Sequence, residues 1–513
     1  MTLEEKAASL ELQDVVALLV RVDELERRVK WLQDRFFGRT SEKRIVEPDP
    51  RQASLGDEFR PEDSAEQEEM VTVAEHKRTR KQDDAAEEED CGFRFDDSVP
   101  VEEIVLENPD AKVKGAKVIG EKVTYKLAQQ PVSYVLLKYV RPVVKLPDGR
   151  LSCQAAPASV LGKSLADVSW LASLVIDKLL YHLPLYRQHQ RMKEAGIRLA
   201  RSTLTEAVHR SADLLKPIFE AQQQSILKSA VIAMDETPIR AGRKGRGRMK
   251  TGYFWPIYGD RQEVVFPFMA TRAHHVVHDL LGSYEGVLLT DGYSAYERYA
   301  RQMERVTAAQ CWSHTRRQFL KAEDAEPKLV ARALDLIGEL YAREKQFRRK
   351  SLEGSKLLER RSEHCRPLVE EFFAWLEKEL EARALLPTNP FTKAAHYALS
   401  RREELKVFLW HPGVPLDTNH LERQIRPITL GRKNWLFCWT ELGAEYVGIL
   451  QSLLQTCRLQ GVSPYRYLVD VLQRVDGHPA SEVALLTPRL WKEHFAQTPM
   501  LSPLEKVTGR TND

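Results

Sequence analysis

The sequence predicts a multidomain α/β protein. Three observations predict it. At 513 residues the chain exceeds what a single core usually serves. Short apolar runs of strand character, VIAMDETP and GVLLTDGY, each stop on a carboxylate, while long amphipathic stretches lie on either side of them. The charge is nearly balanced, with Lys+Arg 77 against Asp+Glu 74 for a net +3, yet the basic residues fall in patches. No apolar stretch reaches the roughly 18 residues of a membrane span. MTLEEKAASLEL has neither the basic nor the apolar part of a signal peptide, so a cytoplasmic protein is expected, with no membrane partner. The six cysteines (91, 153, 311, 365, 438 and 457) are scattered without a CxxC pair, which predicts free thiols and no zinc.

In chain order, residues 1–44 read as a helix. Val15, Leu18, Val22, Leu25, Val29, Leu32 and Phe36 recur in steps of three and four, the spacing of a coiled-coil seam and equally of an amphipathic helix packed on its own chain. Residues 45–100 form an acidic linker, with PEDSAEQEEM and DDAAEEED flanking the basic block HKRTRK. Residues 101–155 alternate in the manner of strands, forming a small β region with a PDG turn at 147–149. Residues 156–225 return to helical spacing. Pro184 opens one helix, a break falls at Gly196, and Thr203 with Glu206 spells a capping box; the arrangement suits a helix-turn-helix DNA-binding region or ordinary packing helices.

The core is expected in two parts, 226–312 and 417–475, separated by a helical insertion over 313–416 and followed by a tail, 476–513. Its first part reads strand (VIAMD), basic loop, strand (GYFWPIY), strand (EVVFPFM), helix, strand (GVLLTD), helix, strand (TAAQCW). That mixed order fits a ribonuclease-H-like sheet. Asp235 and Asp291 close two of its strands, and Glu422 stands in the first turn of a downstream helix. Three such carboxylates can hold two divalent cations about 3.5–4 Å apart, the arrangement for in-line attack on a phosphodiester. They are the predicted catalytic and metal-binding residues, with two Mg²⁺, or Mn²⁺ in their place, as the predicted cofactor.

Basic residues surround them. RAGRKGRGRMK carries six basic residues, no acidic one and three glycines, so Arg243, Lys244, Arg246 and Arg248 are candidate phosphate contacts. Arg423, Arg426, Arg432 and Lys433 follow Glu422, with Trp435 placed either to pack in the core or to stack on a base. CWSHTRRQF adds His314, Arg316 and Arg317, whose histidine has a DNA-contacting and a structural reading of equal weight. His274, His275 and His278 are assigned to a helix surface.

FGRTSEK, HLPLYRQ, EAGIRLARSTL, DETP, GYFW, LLTDGYSAY, CWSHTRR and LDTNHLERQIRPITLGRKNWLF are spread over most of the chain. With these stretches it resembles transposases of the bacterial insertion sequence 66 family. The resemblance implies a DDE triad on Asp235, Asp291 and Glu422. It also implies cutting of DNA at the element boundary and transfer of the 3′-hydroxyl to target DNA. Expected partners are the terminal inverted repeats, target DNA, further copies of the chain and accessory proteins of the same element. Two departures stand out. The family's cysteine-rich zinc segment is reduced to Cys91 and Cys153, and Thr418 occupies the middle place of a usual Asp-Asn-Asn. A nuclease of the same fold and a decayed DNA-binding regulator are the alternative readings.

Overall fold

A computed structural model describes residues 94–509, apart from 96, 98, 131, 132, 163, 246, 247, 383–385 and 436. The expected N-terminal coiled coil and most of the acidic linker lie outside the described residues, as does Cys91.

The first part is a β layer with one helix packed on it and two further helices leading to the second part. It comprises β1 (Arg94–Phe95), β2 (Val101–Val105), β3 (Lys117–Gln130), β4 (Ser133–Lys145), β5 (Leu151–Cys153), α1 (Val168–Leu179), α2 (Leu185–Glu194), β6 (Ile197–Arg198) and α3 (Arg201–Ile226). β3 and β4 pair antiparallel from Lys117↔Lys145 to Gln130↔Ser133, while β2 runs parallel to β4 and β5 returns along it after the PDG turn. α1 buries Trp170, Leu171, Leu174 and Val175 almost completely, and its Asp167 N-cap accepts from the Ser169 amide. The capping box expected at Thr203 is absent. β6 pairs with β1 and leads straight into α3 at Arg201, so Ala200 is the N-cap and Thr203 lies inside the helix.

The second part follows as β7 (Val231–Met234), β8 (Thr237–Gly245), β9 (Arg248–Phe254), β10 (Ile257–Gly259), β11 (Glu263–Val265), β12 (Phe268–Met269), α4 (His275–Leu281), β13 (Gly286–Thr290), α5 (Ser294–Gln302) and β14 (Val306–Gln310). A five-stranded sheet has the order β11-β10-β7-β13-β14. β7, β13 and β14 are parallel, β10 is antiparallel to both β7 and β11, and so β10 alone is reversed. VIAM is buried at all four residues, as a strand covered on both faces should be.

Three expectations change here. GYFWPIY and EVVFPFM each split into two strands in different sheets, at Trp255-Pro256 and Phe266-Pro267. Proline has no amide to give to a ladder, so each run changes partner at that point. The basic stretch expected as a loop is a twisted hairpin, β8 and β9, with two register shifts. It continues the chain directly from Asp235.

Beyond β14 the described chain is helical: α6 (Trp312–Leu320), α7 (Pro327–Arg349), α8 (Gly354–Arg360), α9 (Arg366–Ala382), α10 (Pro390–Leu399) and α11 (Arg402–Lys406). Trp312 anchors this body, fully buried among Phe372, Phe373 and Phe408 with its indole N–H donated to the Leu405 carbonyl (2.9 Å). The chain then returns as α12 (Asn419–Trp435), α13 (Glu441–Leu459), α14 (Pro464–Arg474), α15 (Pro488–His494) and α16 (Pro503–Thr508). α13 lies against β11 and α3. Gln222 of α3 donates to both Val264 O (2.8 Å) and Thr456 Oγ1 (2.9 Å), and Ser452 accepts from the Phe266 amide (2.8 Å). A Cβ on Gly448 would stand 2.3 Å from the Phe266 carbonyl, so the crossing requires glycine. Among the described residues no helix is long and apolar enough to cross a membrane.

Candidate metal and nucleic-acid site

β7 and β13 are neighbours and parallel, so the residues after their last apolar positions emerge side by side. Asp235 follows Met234 and Asp291 follows Thr290. The turn after β13 is tight. Asp291 Oδ1 accepts from the Tyr293 amide (2.9 Å), and Tyr397 donates its hydroxyl to the Asp291 carbonyl (2.6 Å). Gly292 between them has φ 90, and a Cβ there would lie 2.8 Å from Arg401 Nε and from Tyr397 Oη. That turn fixes where the carboxylate points.

Carboxylate oxygens of Asp235, Glu236 and Asp291 lie within 4.8 Å of one another. Burial, then the charge of Asp291, pushes the Asp235 carboxyl up to about 7; Glu236 and Glu422 add to the effect. Hard oxygen donors in this crowding suit a divalent cation, which would relieve the repulsion.

Glu236 is the residue that sequence reasoning missed. Its side chain is 5% exposed, held by the Arg272 guanidinium on one oxygen and the Tyr296 hydroxyl on the other (2.7 Å). Arg272 in turn lies over the Tyr293 ring, 4.0 Å from its centroid. Burial raises the Glu236 carboxyl as well. The available signal was its adjacency to Asp235 just past the end of a strand, where alternation no longer sends neighbours to opposite faces.

Glu422 does not belong to that group of three. It stands in the first turn of α12, with Oε1 3.7 Å from His314 Nε2 and 3.5 Å from Arg317 Nη2. Burial lowers the His314 pKa against the raising influence of Asp291 and Glu422. A cavity of about 680 Å³ nevertheless joins the two sets, lined by Asp235, Glu236, His314, Glu422 and the guanidinium-bearing Arg317, Arg423 and Arg426. The start of α12 is fastened to the start of α6. Thr418 donates its amide (3.3 Å) and its hydroxyl (3.4 Å) to Cys311 Sγ, and the Trp312 amide donates to the Leu416 carbonyl (2.9 Å). Thr418, a departure at the sequence level, is therefore the side chain that binds the two helix starts together.

The remaining candidates are distributed. Arg243, Lys244 and Arg248 are exposed on the hairpin, with Arg243 over the Trp439 ring (4.4 Å), while Arg246 lies outside the described residues. The hairpin is tied to the segment after α12 by Cys438 N to Arg240 O (2.8 Å) and by Lys250 to Glu441 (2.8 Å). Arg432 donates to the Pro238 carbonyl, a bond that holds α12 on β8. Arg316 and Lys433 are exposed, whereas Trp435 is half-buried with Lys178 Nζ 5.8 Å from its ring centroid. His274, His275 and His278 are exposed on and beside α4.

Comparison with known proteins adds three matches to family models. Residues 163–446 match the one described as Transposase IS66 family. Residues 452–488 match the IS66 C-terminal element, and residues 24–104 match Transposase C of IS166 homeodomain. The last of these precedes the helices of 156–225 in which a DNA-binding region was expected. Among curated proteins, the chain is 29% identical over 439 residues to uncharacterized protein y4hP of Sinorhizobium fredii (strain NBRC 101917 / NGR234), covering 79% of this chain and 78% of that protein. It is also 29% identical over 407 residues to uncharacterized protein y4qI of the same organism, covering 76% and 75%.

Proposed function

This chain belongs to the IS66 family of transposases, and we propose that it cuts DNA at the ends of an insertion sequence and joins the freed 3′ end to target DNA. The observation that carries this reading is the pair Asp235 and Asp291 on adjacent parallel strands, their carboxylates within 4.8 Å of each other, with Asp235 lining one cavity together with Glu422 and three arginines. The order β11-β10-β7-β13-β14 with β10 alone reversed supports a ribonuclease-H-like core.

Asp235 and Asp291 would hold divalent cations, Mg²⁺ or Mn²⁺, and Glu422 would complete the ligand set. Bound there, such ions lower the pKa of an attacking water and neutralise charge on the phosphoryl oxygens. Arg317, Arg423 and Arg426 receive the backbone phosphates through charge-assisted hydrogen bonds. His314 stands beside the Glu422 carboxylate, its Nε2 3.7 Å from Oε1. Arg272 and Tyr296 hold Glu236 by both of its oxygens, which sets the direction of Asp235 beside it.

The test is a joining assay on duplexes bearing the terminal repeats that flank the gene. Asp291→Ala should lose cleavage and joining by roughly 10³-fold, with DNA binding retained. Strand transfer at the parent rate in that variant would overturn the assignment. Hydrolysis products without joined strands from the parent protein would make it a nuclease instead.

A further inference from the structure

A second cavity, of about 600 Å³, adjoins the first and shares Asn419 and Arg423 with it. Its floor is the sheet face made by Val231, Ala233 and Leu289, all buried. One side is formed by Tyr258 of β10 and His420 of α12, whose rings meet edge to face at 4.7 Å. Arg348, exposed in the last turn of α7, stands at another side. The size and make-up are those of a ligand pocket, an apolar floor with a few placed polar groups.

The charges say which end of a ligand enters. Asp260 and Asp417 also line this cavity, so a phosphate would be repelled from its interior, whereas the amino group of a base could donate to either carboxylate. Arg348 and Arg423 supply the positive charge that flanking phosphates require. Because Arg423 borders both cavities, a strand with its phosphate at the carboxylates has its next nucleotide beside the second opening. We propose that this cavity takes one unstacked nucleotide adjoining the scissile phosphate, with its base on the apolar floor and its phosphates on Arg348 and Arg423. Enzymes that withdraw a nucleotide from the stack seat it against aromatic and apolar groups in this way.

The inference rests on the proposed DNA cleavage, and the experiment separates the two. Duplexes carrying the terminal repeat receive 2-aminopurine at each of two positions on either side of the cut, and fluorescence is read on binding without divalent metal. One position should brighten several-fold, on the order expected for an unstacked base. Arg348→Ala and Tyr258→Leu should each abolish that rise and weaken binding by about tenfold. Arg348 is exposed, so its loss leaves the fold intact, and a duplex mismatched at the brightening position should restore cleavage by Arg348→Ala. If no position brightens while the same DNA is cut on adding Mg²⁺, the pocket inference falls and the functional reading stands. If brightening is unchanged in both variants, the inference also falls. DNA that brightens but is never cut supports the pocket and overturns the reading of the reaction.

Discussion

Asp235 keeps its proton more tightly in the folded protein than in the unfolded chain, because burial and Asp291 both oppose its charge. Its raised pKa therefore costs no stability below about pH 4 and costs progressively more as pH rises to about 7. Metal-free Asp235→Asn should accordingly be more stable than the parent at pH 8 by up to roughly 4 kcal/mol, with no difference near pH 4. Denaturant titrations in EDTA at the two pH values check this; a less stable variant at pH 8 would mean that the carboxylate is compensated in some other way. Mg²⁺ should stabilise the parent and not the variant. At this scale the sequence revealed the two strand-end aspartates, since an apolar run that stops on a carboxylate is a local signal. Glu236 was hidden because its importance lies in Arg272 and Tyr296, which reach it from elements 36 and 60 residues away. Thr418 was equally opaque, since its partner Cys311 is 107 residues distant.

The basic hairpin divides its charges between two tasks. Arg243 stacks on Trp439, Arg240 bonds Thr251 and Lys250 pairs with Glu441, so these three brace the element. Lys244 and Arg248 are exposed beside them and are available to phosphates. Replacing both with alanine should reduce the slope of log K against log salt by about 2 while leaving the unfolding midpoint unchanged. An unaltered slope in a binding titration from low to high salt would remove the hairpin from the DNA path. Helix spacing and strand alternation made most elements readable in advance. The failures came where a backbone had a choice of partner. Two prolines moved β10 and β12 into different sheets from the strands they were joined with, and β6 pairing displaced the start of α3 from its apparent capping box.

Among the described residues, one long helix that family boundaries divide ties the sheet to the C-terminal helices. The match to the IS66 transposase family ends at 446 and the C-terminal element begins at 452, yet α13 runs from Glu441 to Leu459 without a break. Thirteen of its residues are buried, so the C-terminal helices continue the core and are not an appendage. Gly448→Ala should cost about 1–3 kcal/mol through the Phe266 carbonyl, visible as a lower thermal midpoint. An unchanged midpoint would show that α13 can slide on the sheet. The chain leaves the sheet at Cys311 and comes back at Thr418 with Sγ and amide nitrogen 3.3 Å apart, so the intervening helices hang from a doorway whose two posts touch. Residues can be added to or removed from that annex with little cost to the doorway, because joining ends already in contact depends only weakly on how much chain lies between them. The annex is thus free to change in length away from Tyr397, whose hydroxyl holds the Asp291 turn, while the carboxylates on the threshold keep their places.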